Sequence, residues 1–341
     1  MRHRHALLAG LLALGLATAT PASSQAPLAP GDPRPNLSRG QLDRFQRGKV
    51  VFQRVFTPET GLGPLFNNTS CAVCHDQPAI GGSGFEDDDI ETHASVFDQT
   101  AGTCDQLEAA GGPVFRHNAT TGNPPGLPPS ARLGMGHRTT PALFGMGRID
   151  EVPDAAILAN EGQLGGRAHR LPDGRIGRFG RKATDATLAE FTQGAFATEM
   201  GIDVPSELVA NDLALTVDFV RFLGLPTRLN RPGGALFHLV GCDQCHTPSL
   251  SGGPPLYTDL LLHDLGPNFQ DMCRGHAKPT EFRTAPLIGL RFLQRFLHDG
   301  RAASVGQAVR LHGGQASPVI RRFEDLKPDE QALLIHFVKG L

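Results

Sequence analysis

Cys71-Ala72-Val73-Cys74-His75 and Cys242-Asp243-Gln244-Cys245-His246 are the stretches that decide how this 341-residue chain is built. In C-x-x-C-H the two thiols can add to the vinyl groups of a haem, and the adjoining histidine meets iron from the proximal side. A zinc site would need further Cys or His at ligand spacing, and a redox C-x-x-C needs no trailing His. Two complete motifs therefore predict two covalently bound haem c groups. Cys71, Cys74, Cys242 and Cys245 are the attachment points, and His75 and His246 are the iron ligands. The wide separation of the motifs suits two consecutive domains better than a compact multihaem cluster.

The N-terminus agrees with export. Arg2 and Arg4 precede an apolar run from Ala6 to Ala17, and small residues follow at Ala19, Ala22 and Ala26, so 1–26 reads as a signal peptide directing the chain to the periplasm. The run is too short to cross a hydrocarbon core of about 30 Å, and no permanent membrane anchor is expected. Formal charge is −2, from 32 basic and 34 acidic residues, which excludes a basic nucleic-acid footprint. Outside the cytosol the two remaining cysteines, Cys104 and Cys273, can persist as a disulfide; two buried thiols are the alternative.

Beyond the Pro-rich, flexible lead-in at 27–37, helices are expected from about Ser38 to Phe56, Asp185 to Glu199, Asn211 to Leu223 and Gly234 to Val240. A closing helix begins at Pro328, which suits a first turn. Residues 76–130, rich in Gly, Pro and Asn, read as loop. The acidic run Glu86-Asp87-Asp88-Asp89 within them reads as a solvated surface. Pro226 and Pro232 punctuate a boundary. The expected architecture is mainly α, with two cytochrome c-like haem domains and long irregular loops: an N-terminal haem domain at 38–225 carrying a long loop insertion, and a C-terminal one at 226–341. A repeated Arg-Thr-x-Pro element, Arg138-Thr139-Thr140-Pro141 and Arg283-Thr284-Ala285-Pro286, implies two related halves.

A proximal histidine usually donates its second ring N–H to a carbonyl, for which Pro78 and Pro248 are the nearby candidates. The sixth iron positions decide between electron carrier and enzyme. Candidates are His137, His263, His298, His312, Met135, Met146, Met200, Met272 and Tyr257.

Phe66-Asn67-Asn68-Thr69-Ser70, Gly81-Gly82-Ser83-Gly84, Phe179-Gly180-Arg181-Lys182-Ala183, Leu261-Leu262-His263-Asp264-Leu265-Gly266-Pro267 and His298-Asp299-Gly300-Arg301 resemble the di-haem oxidoreductase family across nearly the whole mature chain. More distantly, Phe282 to Leu341 is similar to the C-terminal domain of bacterial di-haem cytochrome c peroxidases. Those relatives place a methionine ligand fourteen residues beyond a His-x-Gly turn; here that count from His298 reaches His312, implying His246/His312 ligation of the second haem. The resemblance further implies that peroxide meets the N-terminal haem, assisted by a nearby acid, for which Glu151 is the candidate. Electrons would arrive through the second haem from a small redox protein or a quinol-linked donor. Relatives often hold calcium, for which no residue here matches, and a tryptophan between haems, which this chain lacks. A non-enzymatic di-haem electron-transfer cytochrome and a peroxide-dependent oxidase of a protein partner are the competing functions.

Overall fold

The computed structural model of the protein describes residues 27–84, 86, 89–129, 134–203 and 207–341. The expected signal segment 1–26 lies outside the described residues, as do Asp87 and Asp88 of the acidic run. Ten helices follow one another there: α1 (Arg39–Phe52), α2 (Cys71–Cys74), α3 (Met146–Asp150), α4 (Asp154–Leu158), α5 (Leu188–Met200), α6 (Glu207–Phe222), α7 (Gly234–Val240), α8 (Val305–Leu311), α9 (Ser317–Glu324) and α10 (Pro328–Val338). Among the described residues no helix is long and apolar enough to cross a membrane.

The longer helices carry their own start and stop signals. Ser38 caps α1 and forms a capping box with Gln41, satisfying donors that a helix start leaves unpaired. The helix ends at Phe52, earlier than expected, so Val55 is exposed while Phe56 is buried from the following loop. Thr187 and Glu190 box the start of α5, and Gly201 ends it at φ +62°. Pro328 occupies the first turn of α10 as expected.

Helix α1 lies against α6, and their contact depends on Gly48: a Cβ there would stand 2.1 Å from the Leu215 carbonyl oxygen. Close approach lets the Phe219 ring settle 5.1 Å from Phe45 and 4.8 Å from Phe52. Phe52 in turn lies 6.0 Å from the His75 ring. This apolar cluster continues through Ile149, Phe179 and Val220 and takes in Leu250, Leu256, Leu260 and Leu261 from beyond Pro226. A second cluster gathers Phe237, Val240, Val305, Phe323, Leu334 and Val338 around the other motif.

Helix makes up 35% of the structure and strand 14%, so strands are an addition to the mainly α reading. Five of the eleven among the described residues lie in the segment read as loop. Ile90–Ala94 pairs antiparallel with Val114–Phe115 on one side and Met135–Thr139 on the other. Strands of two to five residues are too short to display a period of two in sequence; distant partners create them. Lead-in 27–37, read as flexible, is tied down as well, with the Arg34 N–H donating to the Phe222 carbonyl at 2.7 Å and Leu28 N–H to Thr227 Oγ1.

A buried polar seam joins the halves. Arg138 of the first repeat element donates Nε and a terminal nitrogen to Asp271 at 2.9 and 2.6 Å. Arg181 donates to the Thr139 carbonyl and accepts from the Arg283 N–H. The Lys182 ammonium, 1% exposed, donates to the carbonyls of Lys278, Pro279 and Glu281. Cys104 and Cys273 are disulfide-bonded across this seam, Cα to Cα 5.9 Å.

Candidate functional site

Ser70 caps α2 by accepting from the Ala72 N–H, so the first motif sits on one helical turn with both thiols unbridged. Burial pushes Cys71 up to about 12 and Cys74 higher still, and Cys242 likewise up to about 12. That is opposite to the electropositive setting that a redox C-x-x-C requires. His75 Nδ1 lies 3.0 Å from the Gly82 carbonyl oxygen. Pro78 does not supply this acceptor. Donation from Nδ1 fixes the tautomer and leaves Nε2 with a lone pair for iron.

Beside this histidine opens a cavity walled by Phe52, Leu143, Met146, Leu188, Phe196 and Val220 together with Cys71, Cys74 and His75. Its apolar walls suit a flat macrocycle. Three acids interrupt the apolar lining: Asp89, Glu91 and Glu199. Asp89, the last member of the acidic run, is buried rather than solvated and accepts the Glu86 N–H.

Glu199 is raised to about 7, first by burial and then by the charge of Glu91. Asn67 Nδ2 donates to one of its oxygens at 2.6 Å and Thr198 Oγ1 to the other at 2.9 Å. Burial raises Glu91 too, and His93 Nε2 lies 2.6 Å from its Oε2. Two carboxyl groups in one partly buried space disfavour double ionisation, which favours the protonated form of Glu199. Glu151, the acid expected from sequence, is elsewhere: its side chain is 45% exposed and paired with Arg34 and Arg148. It does not line the cavity. Glu91 escaped notice because its place on a strand comes from pairing with Arg138; Glu199 lay on an ordinary helix.

The second motif follows α7 directly. His246 Nδ1 lies 3.1 Å from the Tyr257 carbonyl oxygen, which replaces the expected Pro248 as acceptor. His312, capping α8, has Nδ1 2.7 Å from the Ala308 carbonyl oxygen. Each ring therefore keeps Nε2 free for iron. Burial depresses His246 to about 4, and His312 is close enough for its charge to add to that depression.

Other axial candidates are used differently. His263 has Nε2 2.9 Å from Asp259 Oδ2 and Nδ1 3.2 Å from Gln315 Oε1, so neither nitrogen is available. Tyr257 accepts from Arg228 through its hydroxyl and packs on Phe237. The His298 ring lies 4.6 Å from Phe282, tilted by 41°, and its carbonyl accepts the Thr139 N–H. Met135 and His137 are exposed. Met272 is buried beside the disulfide partner Cys273. Met146 and Met200 line the first cavity. Among the described residues one group could gather a metal ion, namely Cys245, Asp259 and His263; neither motif draws its own two cysteines and histidine into a zinc-like cluster.

Residues 206–341, less than half of the chain, match the family described as "Di-haem oxidoreductase, putative peroxidase". The match covers the second motif, His263, His298 and His312. No curated protein is significantly similar to the chain. Among solved structures, the chain is similar to hydrazine synthase of Kuenenia stuttgartiensis, with 16% identity and a TM-score of 0.43 over 97% of this chain and 100% of that one. It is also similar to a MauG-like protein associated with microbial copper homeostasis, with 15% identity and a TM-score of 0.41 over 91% and 92%. Neither superposition is close enough to transfer a role to a residue. The donor sets themselves fit the two haems of a di-haem oxidoreductase: four unbridged thiols, and His75, His246 and His312 each held through Nδ1.

Proposed function

We propose that the protein is a periplasmic di-haem c-type oxidoreductase that reduces hydrogen peroxide, or uses it as oxidant, at the site of His75, with electrons passing through the site of His246 and His312. The observation that carries this reading is the acid pair Glu91 and Glu199, both half-buried, in the same cavity as His75. Haem iron, when bound, supplies the electron exchange and a position for a peroxide oxygen. Converting hydrogen peroxide to two waters consumes two electrons and two protons. Glu199, raised to about 7, can hold the proton that the leaving oxygen needs, and Asn67 fixes its orientation. Glu91 holds the second acidic position, oriented by His93. The apolar wall limits water around them, which strengthens each of these bonds.

Covalent attachment of both haems follows from the four motif cysteines. A small redox protein or a quinol-linked donor would supply the electrons, and the Cys104–Cys273 disulfide supports an oxidising compartment. A second reading, an electron carrier with both irons six-coordinate, is favoured by Met146 and Met200, whose thioethers line the first cavity.

Electron paramagnetic resonance with stopped-flow addition of peroxide, on oxidised and half-reduced protein, separates the two. One high-spin and one low-spin haem, with rapid reaction of the former, is the expected result. Two low-spin haems that stay unreactive in both states would establish the carrier instead. Mass spectrometry of the denatured chain should find both haems still attached; their loss would remove the covalent assignment.

A further inference from the structure

His263 and Asp259 form a buried pair, 3% and 0% exposed, that takes no part in the chemistry above. Burying such a pair is costly unless every polar atom is satisfied, and here the bonds are complete. Asp259 Oδ2 meets His263 Nε2 at 2.9 Å, while its Oδ1 accepts the Leu261 N–H at 3.0 Å. Nδ1 of His263 reaches Gln315 Oε1 at 3.2 Å and lies 3.7 Å from the Cys245 sulfur. Gln315 is also fully used, accepting from the Asp264 N–H at 3.2 Å and donating Nε2 to the Gly165 carbonyl at 3.2 Å.

Gln315 lies three residues beyond His312, in the turn Gly314–Ala316. His312 is thus held on one side by α8, through Ala308, and on the other by a turn whose anchor is Gln315. We infer that His263 is a positioning residue: fixed by Asp259, it holds Gln315 and so sets where the His312 ring stands relative to His246 and Cys245. The N-terminal half closes this clamp. Gly166 admits the His263 ring, since a Cβ there would lie 2.5 Å from its Cε1, and Gly165 supplies the carbonyl that Gln315 needs. The inference rests on the reading of His246 and His312 as axial ligands of the second haem.

The test uses the full-length, haem-loaded protein and reads the low-spin signal and midpoint potential of the second haem in His312→Ala, His263→Asn, Gln315→Leu and Gln315→Glu. His312→Ala should abolish one low-spin signal. His263→Asn and Gln315→Leu should each lose part of it and shift the potential, and added imidazole should restore the signal. Gln315→Glu, which keeps the acceptor for His263 but loses the donor to the Gly165 carbonyl, should retain more of the signal than Gln315→Leu. If His312→Ala has its effect while His263→Asn and Gln315→Leu keep the wild-type spectrum and potential, His263 is only a core pair and the inference fails. An unchanged His312→Ala would instead overturn the ligand reading and the inference with it. Should His263→Asn not accumulate with two haems attached, Gln315→Leu and Gln315→Glu decide together: both lose the donor to Gly165 and only Gln315→Glu keeps the oxygen that meets His263, so equal losses would overturn the inference.

Discussion

Cys104 and Cys273, 169 residues apart in the chain, are joined in a disulfide that ties the hairpin strand Thr103–Asp105 to the segment following Asp271. Native disulfides of exported domains commonly contribute about 2–5 kcal/mol. The Cys104→Ser/Cys273→Ser double variant should therefore unfold at lower temperature or denaturant by that order. Thiol labelling of denatured, unreduced wild type should leave this pair unlabelled, and labels on both would show the bridge absent in solution.

Glu199 and Glu151 provide a paired kinetic test. Removing a positioned general acid typically costs about 10²- to 10⁴-fold in rate, so Glu199→Gln should slow the reaction with peroxide by that order. Glu151→Gln, on an exposed and salt-bridged residue, should react as wild type does. The reverse pattern, measured by stopped flow, would return the role to Glu151.

Glu199 also predicts a pH dependence of stability. Its folded value of about 7 lies above the ordinary 4.5, so between those limits the folded state binds more protons than the unfolded one. Stability linked to this group is therefore lost as pH rises through that window, on the order of 3 kcal/mol in total. Thermal melts of wild type and Glu199→Gln at pH 5 and pH 8 should show the variant gaining on wild type at the higher pH. Parallel curves would mean that Glu199 titrates normally.

Gly48 tests the packing that places Phe52 near His75. A methyl group there has no room against the Leu215 carbonyl, and overpacking of this kind costs about 1–3 kcal/mol. Gly48→Ala should lower the unfolding midpoint by that amount despite the better helix propensity of alanine. Urea titration followed by circular dichroism measures it, and a stabilised variant would show that α1 and α6 can move apart.

What could be read from sequence was whatever is written over a short span. C-x-x-C-H carries its chemistry in five residues, the Ser38 and Thr187 capping boxes and Pro328 mark helix starts within a turn, and an even cysteine remainder suggested the pair found bridged. His312 was reachable only by counting from a family pattern. Tertiary structure alone decided the rest. Gly82 and Tyr257, not Pro78 and Pro248, meet the His75 and His246 rings because the chain folds back over each motif. Glu91 and Glu199, more than one hundred residues apart, become an acid pair only when a strand with no local signal pairs with Met135–Thr139 and α5 closes the cavity. A short motif binds a group through its own atoms, whereas the elevation of Glu199 arises from burial and from the charge of a distant residue, neither of which any local stretch of sequence contains.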